Sequence, residues 1–184
     1  MVKLKLVIIF VILSFVSCKK IDDNGFRVYK IKEGRHRSNT AYCTTRSNYI
    51  SFEAIFDQSA QYTSTDPTNQ YDVNKLWGVS DCGNNHMDNS IRFGWRWLND
   101  SLEILWFRHL NGVFDFDIIT TVEMNEIIYL DLEIKEDKYI LGVNGVVVEV
   151  DRPCTQDFKR YYLYPYFGGD ERAPHNIKIK LKGV

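Results

Sequence analysis

The sequence lacks several patterns by which enzymes and nucleic-acid-binding proteins are recognised. Its 184 residues contain no G-x-S-x-G motif and no glycine-rich phosphate loop. Lysine and arginine (23) nearly balance aspartate and glutamate (24), and no basic stripe is present, which argues against a nucleic-acid partner. No run reaches the roughly 20 apolar residues that a membrane-spanning helix needs. No segment keeps a helical period for long, so an α-helical fold is not expected.

The N-terminus has the features of a secretory signal. Lys3 and Lys5 precede an apolar run from Leu6 to Val16, which is too short to span a bilayer and has the length of a signal h-region. A short buried helix is the alternative. The ending Val16-Ser17-Cys18 resembles the lipobox of bacterial lipoproteins. This resemblance implies removal of residues 1–17, lipidation (palmitate included) at Cys18, and attachment to a membrane of the cell envelope, for which we expect the outer membrane.

Cysteine is scarce, with four copies at positions 18, 43, 82 and 154. No Cys-x-x-Cys or Cys/His spacing indicates zinc. Once Cys18 is assigned to lipid, three cysteines remain in an oxidising compartment, so at most one intramolecular disulfide forms. The sequence favours proximity of Cys43 and Cys82. Three small buried thiols are the alternative.

Short alternating segments separated by turn residues predict an all-β fold. Asn144-Gly145 marks a tight hairpin, and polar loops are expected at 58–72 and 81–89. The spacing favours an antiparallel β-sandwich of the jelly-roll type. We expect a signal at 1–17, a lipidated tether at 18–26 and one sandwich domain at 27–184. The strands are predicted at 26–31, 48–57, 75–80, 91–98, 102–110, 115–122, 127–134, 139–143, 146–150, 161–167 and 177–181.

Several segments resemble one superfamily. They are Lys75-Leu76-Trp77-Gly78, His86, Ser90 to Trp97, and Leu102-Glu103-Ile104. The chain is similar to the concanavalin A-like lectin/glucanase superfamily and, within it, to secreted polysaccharide lyases. The resemblance implies a jelly roll whose first and last strands pair. The Glu-x-Asp-x-Glu pattern of glucanases on this fold is missing near Asp131-Leu132-Glu133, which argues against a glucanase.

A lyase acting on uronic acid polymers needs a cation for the carboxylate, a base for the C5 proton and an acid for the leaving oxygen. Arg92, Arg96 or Lys75 could supply the cation. His86 or His109 could be the base, and Tyr164 or Tyr166 the base or the acid. Each of these residues also has a purely structural interpretation, in a solvated face, a turn or a packed strand.

A binding role needs only a surface that fits sugars. Arg92 and Arg96 alternate with an aromatic face and could form a charged glycan platform. Tyr162, Tyr164 and Tyr166 share one face if 161–167 is a single strand, and tyrosine rings stack on sugar faces.

The leading interpretation is a lipid-anchored envelope protein with a carbohydrate-binding sandwich. A polysaccharide lyase and a non-enzymatic structural or protein-interaction lipoprotein are the alternatives. Expected partners are the membrane, through the lipid, and a polysaccharide; a protein partner stays open. The one metal considered is structural calcium at Asp170 and Glu171, because carboxylates are ligands that calcium prefers.

Overall fold

The computed structural model describes residues 21–38 and 40–184. The expected signal at 1–17 and lipidated Cys18 lie outside the described residues. Within those ranges no helix is long and apolar enough to cross a membrane. The described strands, in chain order, are β1 (Arg27–Ile31), β2 (Thr44–Thr45), β3 (Tyr49–Phe56), β4 (Asn74–Ser80), β5 (Ser90–Leu98), β6 (Ser101–Leu110), β7 (Val113–Val122), β8 (Ile128–Ile134), β9 (Lys138–Val143), β10 (Val146–Asp151), β11 (Arg160–Leu163) and β12 (Ile177–Lys182).

These strands form two antiparallel sheets. The back sheet has the order β1-β12-β3-β8-β9-β10, and the front sheet has the order β2-β11-β4-β5-β6-β7. β1 and β12 pair from Arg27 opposite Leu181 to Ile31 opposite Ile177, as the resemblance implied. The prediction of an antiparallel β-sandwich is therefore confirmed.

One hydrophobic core fills the space between the sheets, because each sheet turns one set of alternating side chains inward. In β3, Ile50, Phe52, Ala54 and Phe56 are buried, and in β5 the range Ile91 to Trp95 supplies three more inward side chains. The Phe52 ring lies 5.0 Å from Trp77 and 5.6 Å from Phe93, centroid to centroid. The outward-facing residues of the front sheet, Arg92 among them, are thereby held on a rigid base.

The turns follow the residues that favour positive φ. Asn144 (φ 48°) and Gly145 (φ 87°) connect β9 to β10, as predicted, and Asn99 and Asp100 (φ 51° and 58°) connect β5 to β6. Glycine and asparagine adopt this left-handed region at least cost.

The polar segment between β3 and β4 contains two 3-10 turns, Gln58–Ala60 and Pro67–Tyr71. Asp57 and Asp66 cap them by accepting hydrogen bonds from the backbone amides of Ser59 and Thr68. Residues 21–26, which were expected to be part of the tether, form a turn against β12. There Asp22 pairs with Lys180 at 3.1 Å and Phe26 is buried.

The disulfide joins Cys82 to Cys154, with 5.7 Å between their Cα atoms, so Cys43, which was expected near Cys82, is not bonded to it. Cys43 is exposed beside β2, where its carbonyl accepts a hydrogen bond from the Tyr162 amide. Cys82 follows β4 and Cys154 follows β10, which are 72 residues apart in the sequence. Only the folded topology brings these two strand ends together.

Candidate functional site

A cleft opens on the outer face of the front sheet, and it contains several of the residues that the sequence singled out. Its cavity volume is about 270 Å³. The floor is β5, and the walls come from the segment after β1, the loop after β4, and the chain that leaves β11. The lining residues are Arg37, Ser38, Thr40, Tyr42, His86, Arg92, Leu163, Tyr164, Pro165 and Tyr166.

Arg92 forms the base of this cleft. Its partner in β4 is Gly78, where an added Cβ would come within 2.5 Å of the Arg92 Cα. The close approach therefore needs glycine at position 78. The predicted alternation is confirmed, because Phe93 and Trp95 are in the core while Arg92 lines the cleft.

The charge of Arg92 is buried, and the part of the chain that the structure describes offers it no counterion. The residue is 7% exposed, and its Nε atom has no hydrogen-bond partner among the described residues. No ion pair of the described residues includes it. Burial lowers the pKa of Arg92 to about 10, against a smaller opposing effect of Tyr42, Tyr161 and Tyr166. The guanidinium still carries its charge at neutral pH, so the cleft has an unmatched positive charge.

Lys75 adds a second, half-buried cation near Arg92. Its Nζ atom donates to the carbonyl oxygen of Gly168 (3.3 Å) and lies 4.3 Å from the ring centroid of Phe107. Burial and the charge of Arg92 lower the pKa of Lys75 to about 8. The backbone of Lys75 pairs with Tyr166 through hydrogen bonds of 2.8 and 2.9 Å, which fixes the wall of the cleft to its floor.

His86 and Tyr161 form a hydrogen-bonded pair at the cleft. The Tyr161 hydroxyl accepts a hydrogen bond from the His86 amide (2.8 Å) and lies 2.9 Å from His86 Nδ1. When the hydroxyl donates its single proton to Nδ1, His86 is neutral and protonated on Nε2. Burial, with the charge of Arg92, lowers the pKa of His86, in agreement with the neutral form.

His109 lies on the same face of the front sheet, one strand from Arg92. It is 6% exposed, and its Nδ1 atom is 3.4 Å from Ser90 Oγ. Burial, followed by the charges of Arg92 and Lys75, lowers the pKa of His109 to about 4. His109 is thus a neutral side chain behind the cleft and does not line it.

The expectation for the tyrosine row needs correction. β11 ends at Leu163 and Pro165 follows, so 161–167 is not one strand and Tyr162, Tyr164 and Tyr166 do not share one strand face. The Tyr162 ring packs on Trp77 at 5.0 Å, on the core side. Tyr164, which also stacks on Tyr29 at 5.9 Å, and Tyr166 do line the cleft.

Tyr161, which sequence reasoning missed, does not line the cleft itself but contacts two residues that do, His86 and Tyr42. Its ring makes an edge contact with Tyr42 at 5.4 Å. Strand alternation applied from Tyr161 could have found it, because neighbours in a strand point to opposite faces.

Arg96 is already neutralised. Its Nε atom pairs with Glu103 on β6, and Nη1 donates to the carbonyl oxygen of Tyr71 at 3.0 Å. Although Arg96 shares a sheet face with Arg92, it does not line the cleft. The structure therefore does not place the two arginines in one binding platform.

Glu171 connects the polar loop after β3 to the chain after β11. Its carboxylate accepts hydrogen bonds from the amides of Thr65 (2.9 Å) and Asp66 (2.6 Å) and from Asn69 Nδ2 (3.0 Å). Asp170 is exposed beside it. Calcium at Asp170 and Glu171 stays a prediction, which the melting temperature measured across a calcium titration would test.

An exposed aromatic strip continues the front sheet beyond the cleft. Phe107 on β6 is the register partner of Arg92 on one side and of Phe116 on the other. Phe114 and Phe116 are 59% and 39% exposed, and their ring planes are within 5° of parallel. The distance from Arg92 to Phe116 is two strand spacings, or roughly 10 Å.

Comparison with known proteins identifies the fold. No protein-family model and no curated protein sequence matches the chain. Among solved structures, alginate lyase AlyC3 is 12% identical and covers 88% of this chain and 74% of its own, with a TM-score of 0.62. The chain has a concanavalin A-like jelly-roll fold.

Two further structures have the same fold. The laminarinase catalytic domain from Thermotoga maritima MSB8 is 12% identical over 90% of this chain and 78% of its own, with a TM-score of 0.59. The marine alginate lyase AlyA1 from Zobellia galactanivorans is 11% identical over 88% and 76%, with a TM-score of 0.53. Identities this low establish the shared fold, and function has to be argued from the site.

Proposed function

We propose that the cleft binds an acidic polysaccharide and that Arg92 receives a carboxylate of the sugar. The observation that carries this proposal is the buried guanidinium without a counterion. Burying an unpaired charge is costly. A carboxylate entering the cleft would pair with it through charge-assisted hydrogen bonds, for which the planar guanidinium is well suited.

The surroundings of Arg92 also suit a sugar chain. Tyr42 and Tyr166 offer rings and hydroxyls at the cleft, and Phe114 and Phe116 offer an exposed aromatic surface two strands away. Aromatic faces pack on the apolar faces of sugar rings, while hydroxyl groups bond to their edges. The proposal of a polysaccharide ligand is also supported by the fact that alginate lyases share this fold.

Calorimetric titration of the purified protein with oligomers of uronic acid tests this function. Arg92→Gln should bind at least about thirtyfold more weakly, because losing a buried charged hydrogen-bonding partner costs 2 kcal/mol or more. Arg96→Gln is the control on the same strand and should bind like the wild type, since Arg96 already pairs with Glu103. Equal binding by wild type and Arg92→Gln, with both proteins folded, would contradict the proposal.

If the wild type binds no glycan, the proposed function is wrong and the protein is assigned a structural or protein-interaction role.

A second candidate function, cleavage of the same polymer by β-elimination, is favoured by the His86–Tyr161 pair. Arg92 would hold the carboxylate and stabilise charge that develops on it. The Tyr161 hydroxyl would take the C5 proton while its own proton passes to His86 Nδ1 at 2.9 Å. The C4–O bond then breaks, leaving a double bond between C4 and C5, and Tyr166 would protonate the leaving oxygen.

The lyase reaction is tested by the ultraviolet absorbance of the unsaturated product. Tyr161→Phe should abolish its formation, because the hydroxyl that relays the proton is gone. Tyr162→Phe is the matched control, since its ring lies on the core side against Trp77. If wild-type protein binds a polyuronate tightly and forms no unsaturated product, binding stands and the lyase candidate fails.

We also propose that a lipid on Cys18 anchors this domain in the cell envelope, at the outer membrane. The support is the lipobox-like ending at residues 16–18. Incorporation of labelled palmitate by the wild type, and none by Cys18→Ala, is the expected result. Labelling of both proteins alike would contradict it.

A further inference from the structure

A second pocket adjoins the cleft and concentrates positive charge. Its cavity volume is about 560 Å³. No carboxylate lines it; the titratable groups other than Tyr166 are all basic. They are Lys30, Lys32, Arg35, His36, Arg37 and Arg172.

These cations have no acidic partners in residues 21–38 and 40–184. None of the lysines and arginines that line the pocket forms an ion pair within the described ranges. Glu33 lies in the same turn of chain but does not line the pocket. The whole chain carries a formal net charge of −1, so this local excess of positive charge is not a consequence of a basic composition.

The turn that carries the cations is fixed to the wall of the cleft. The Gly34 amide donates to the carbonyl oxygen of Ala173 (2.9 Å), and the Ala173 amide donates to that of Arg35 (3.1 Å). The His36 ring stacks on Tyr166, with centroids 5.2 Å apart and planes 14° from parallel. These three contacts hold the turn in place, so the charges project from a defined surface.

The two pockets are adjacent, because Arg37 and Tyr166 line both of them. A ligand that places one anionic group on Arg92 can therefore pass Tyr166 and reach the second pocket. A neutral chain on this path would cover several cations without pairing them, which costs free energy. A chain with an anionic group on successive sugars would pair them.

From this adjacency and the excess of cations we infer that the second pocket is a further anion-binding subsite and that the ligand is a linear polyanionic glycan, charged along its length. The inference rests on the proposed binding function and narrows it from acidic sugars in general to densely charged chains. The anionic group is a carboxylate or a sulfate, since both accept hydrogen bonds from lysine and arginine.

The test compares oligosaccharides of increasing length on the full-length protein. The probes are di-, tetra- and hexasaccharides of uronic acid, a sulfated hexasaccharide, a neutral hexasaccharide and phosphatidylglycerol vesicles. The double variant Lys32→Gln/Arg35→Gln removes two charges that line only the second pocket. Lys135→Gln/Lys138→Gln is the matched control, because it removes two charges from the back sheet, where both lysines already pair with glutamates.

We expect wild-type affinity to rise with the length of the charged chain and to fall with salt. Lys32→Gln/Arg35→Gln should bind the hexasaccharide about three- to tenfold more weakly, as two exposed ion pairs allow, and should bind the disaccharide normally. The control variant should match the wild type at every length. Comparing the uronate and sulfated chains identifies the preferred anionic group.

Three results would overturn the inference. If wild type and Lys32→Gln/Arg35→Gln bind the hexasaccharide equally, the second pocket is not a subsite, and the proposal that Arg92 binds a carboxylate is unaffected. If the wild type binds no charged oligosaccharide, the proposed function fails as well. If the double variant loses binding only to phosphatidylglycerol vesicles, the basic pocket contacts lipid headgroups and not a glycan.

Discussion

Replacing Asp81 with asparagine tests how one buried carboxylate supports the loop that carries His86. The Asp81 carboxylate accepts hydrogen bonds from Tyr139 Oη (2.9 Å), Arg152 Nε (2.7 Å) and Arg160 Nε (2.9 Å). The side chains of Arg152 and Arg160 are 1% and 0% exposed. Asp81 is the one buried carboxylate among the described residues, so the two guanidinium groups depend on it.

The variant Asp81→Asn keeps the shape of the side chain and removes its charge. Breaking a buried ion pair by neutralising one partner typically costs 3–5 kcal/mol in the free energy of unfolding. For a domain of this size, this corresponds to a melting temperature lower by about 6–20 °C. Thermal unfolding followed by circular dichroism measures the change.

Asp157→Asn is the matched control for this experiment. Asp157 also pairs with Arg160, at 3.5 Å, but its side chain is 70% exposed, so its loss should cost no more than about 1 kcal/mol. If the two variants melt at the same temperature, the argument that burial sets the strength of this network is refuted.

The dependence on pH gives a second measurement on the same residue. Burial alone would raise the pKa of Asp81, but hydrogen bonds from Arg152 and the Cys82 amide, with the charges of both arginines, lower it below its usual value. The native state therefore binds this proton less readily than the unfolded chain. The stabilisation is present above about pH 4 and is lost as the pH falls through the lowered pKa, so wild type and Asp81→Asn should converge in acid.

Three further predictions concern the frame of the site. Cys82→Ala/Cys154→Ala should lower the free energy of unfolding by about 2–4 kcal/mol, because the disulfide closes a long loop. Cys43→Ala, the control, should leave the melting temperature unchanged. Equal melting temperatures of the two variants would contradict this prediction. Gly78→Ala should lower the free energy of unfolding by about 1–3 kcal/mol and weaken glycan binding, because the new Cβ would lie 2.1 Å from the Ile91 carbonyl oxygen. Unchanged binding in calorimetry would show that Arg92 does not need the close approach of Gly78. Because the pKa of His109 is lowered to about 4, the native state binds this proton at lower pH than the unfolded chain does. The free energy of unfolding should therefore decrease as the pH falls from about 6.5 to 4. His109→Gln should reduce this pH dependence in urea unfolding, and an unchanged pH dependence would contradict the prediction.

Most of the fold could be predicted from the sequence because it depends on local patterns. Alternation in β3 and β5 identified the strands and their inward faces, and Asn144-Gly145 identified its hairpin. β2 was not predicted, because a strand of two residues is too short to show an alternating pattern. The extent of β11 was overestimated, since Pro165 interrupts a run of aromatic residues that otherwise has the composition of a strand.

The site was only partly predictable because it depends on contacts distant in sequence. Arg92 and His86 were singled out, and the structure brings both to the cleft. Tyr161 was missed because the face of a short strand cannot be fixed without its neighbours. The basic turn at 30–37 carried no motif; only its position beside Tyr166 relates it to Arg92. The partner of Cys82 likewise depends on how the strand ends meet.

The pairing of β1 with β12 has a consequence for engineering. Arg27 lies opposite Leu181 in that ladder, so the start of the first strand and the end of the last strand are about 5 Å apart. A short peptide could join them, and the chain could be reopened at Asn144-Gly145, a tight turn whose residues do not line either pocket. Such a circular permutant would keep every residue of the cleft in place while moving the chain ends from β1 and β12 to the β9–β10 hairpin.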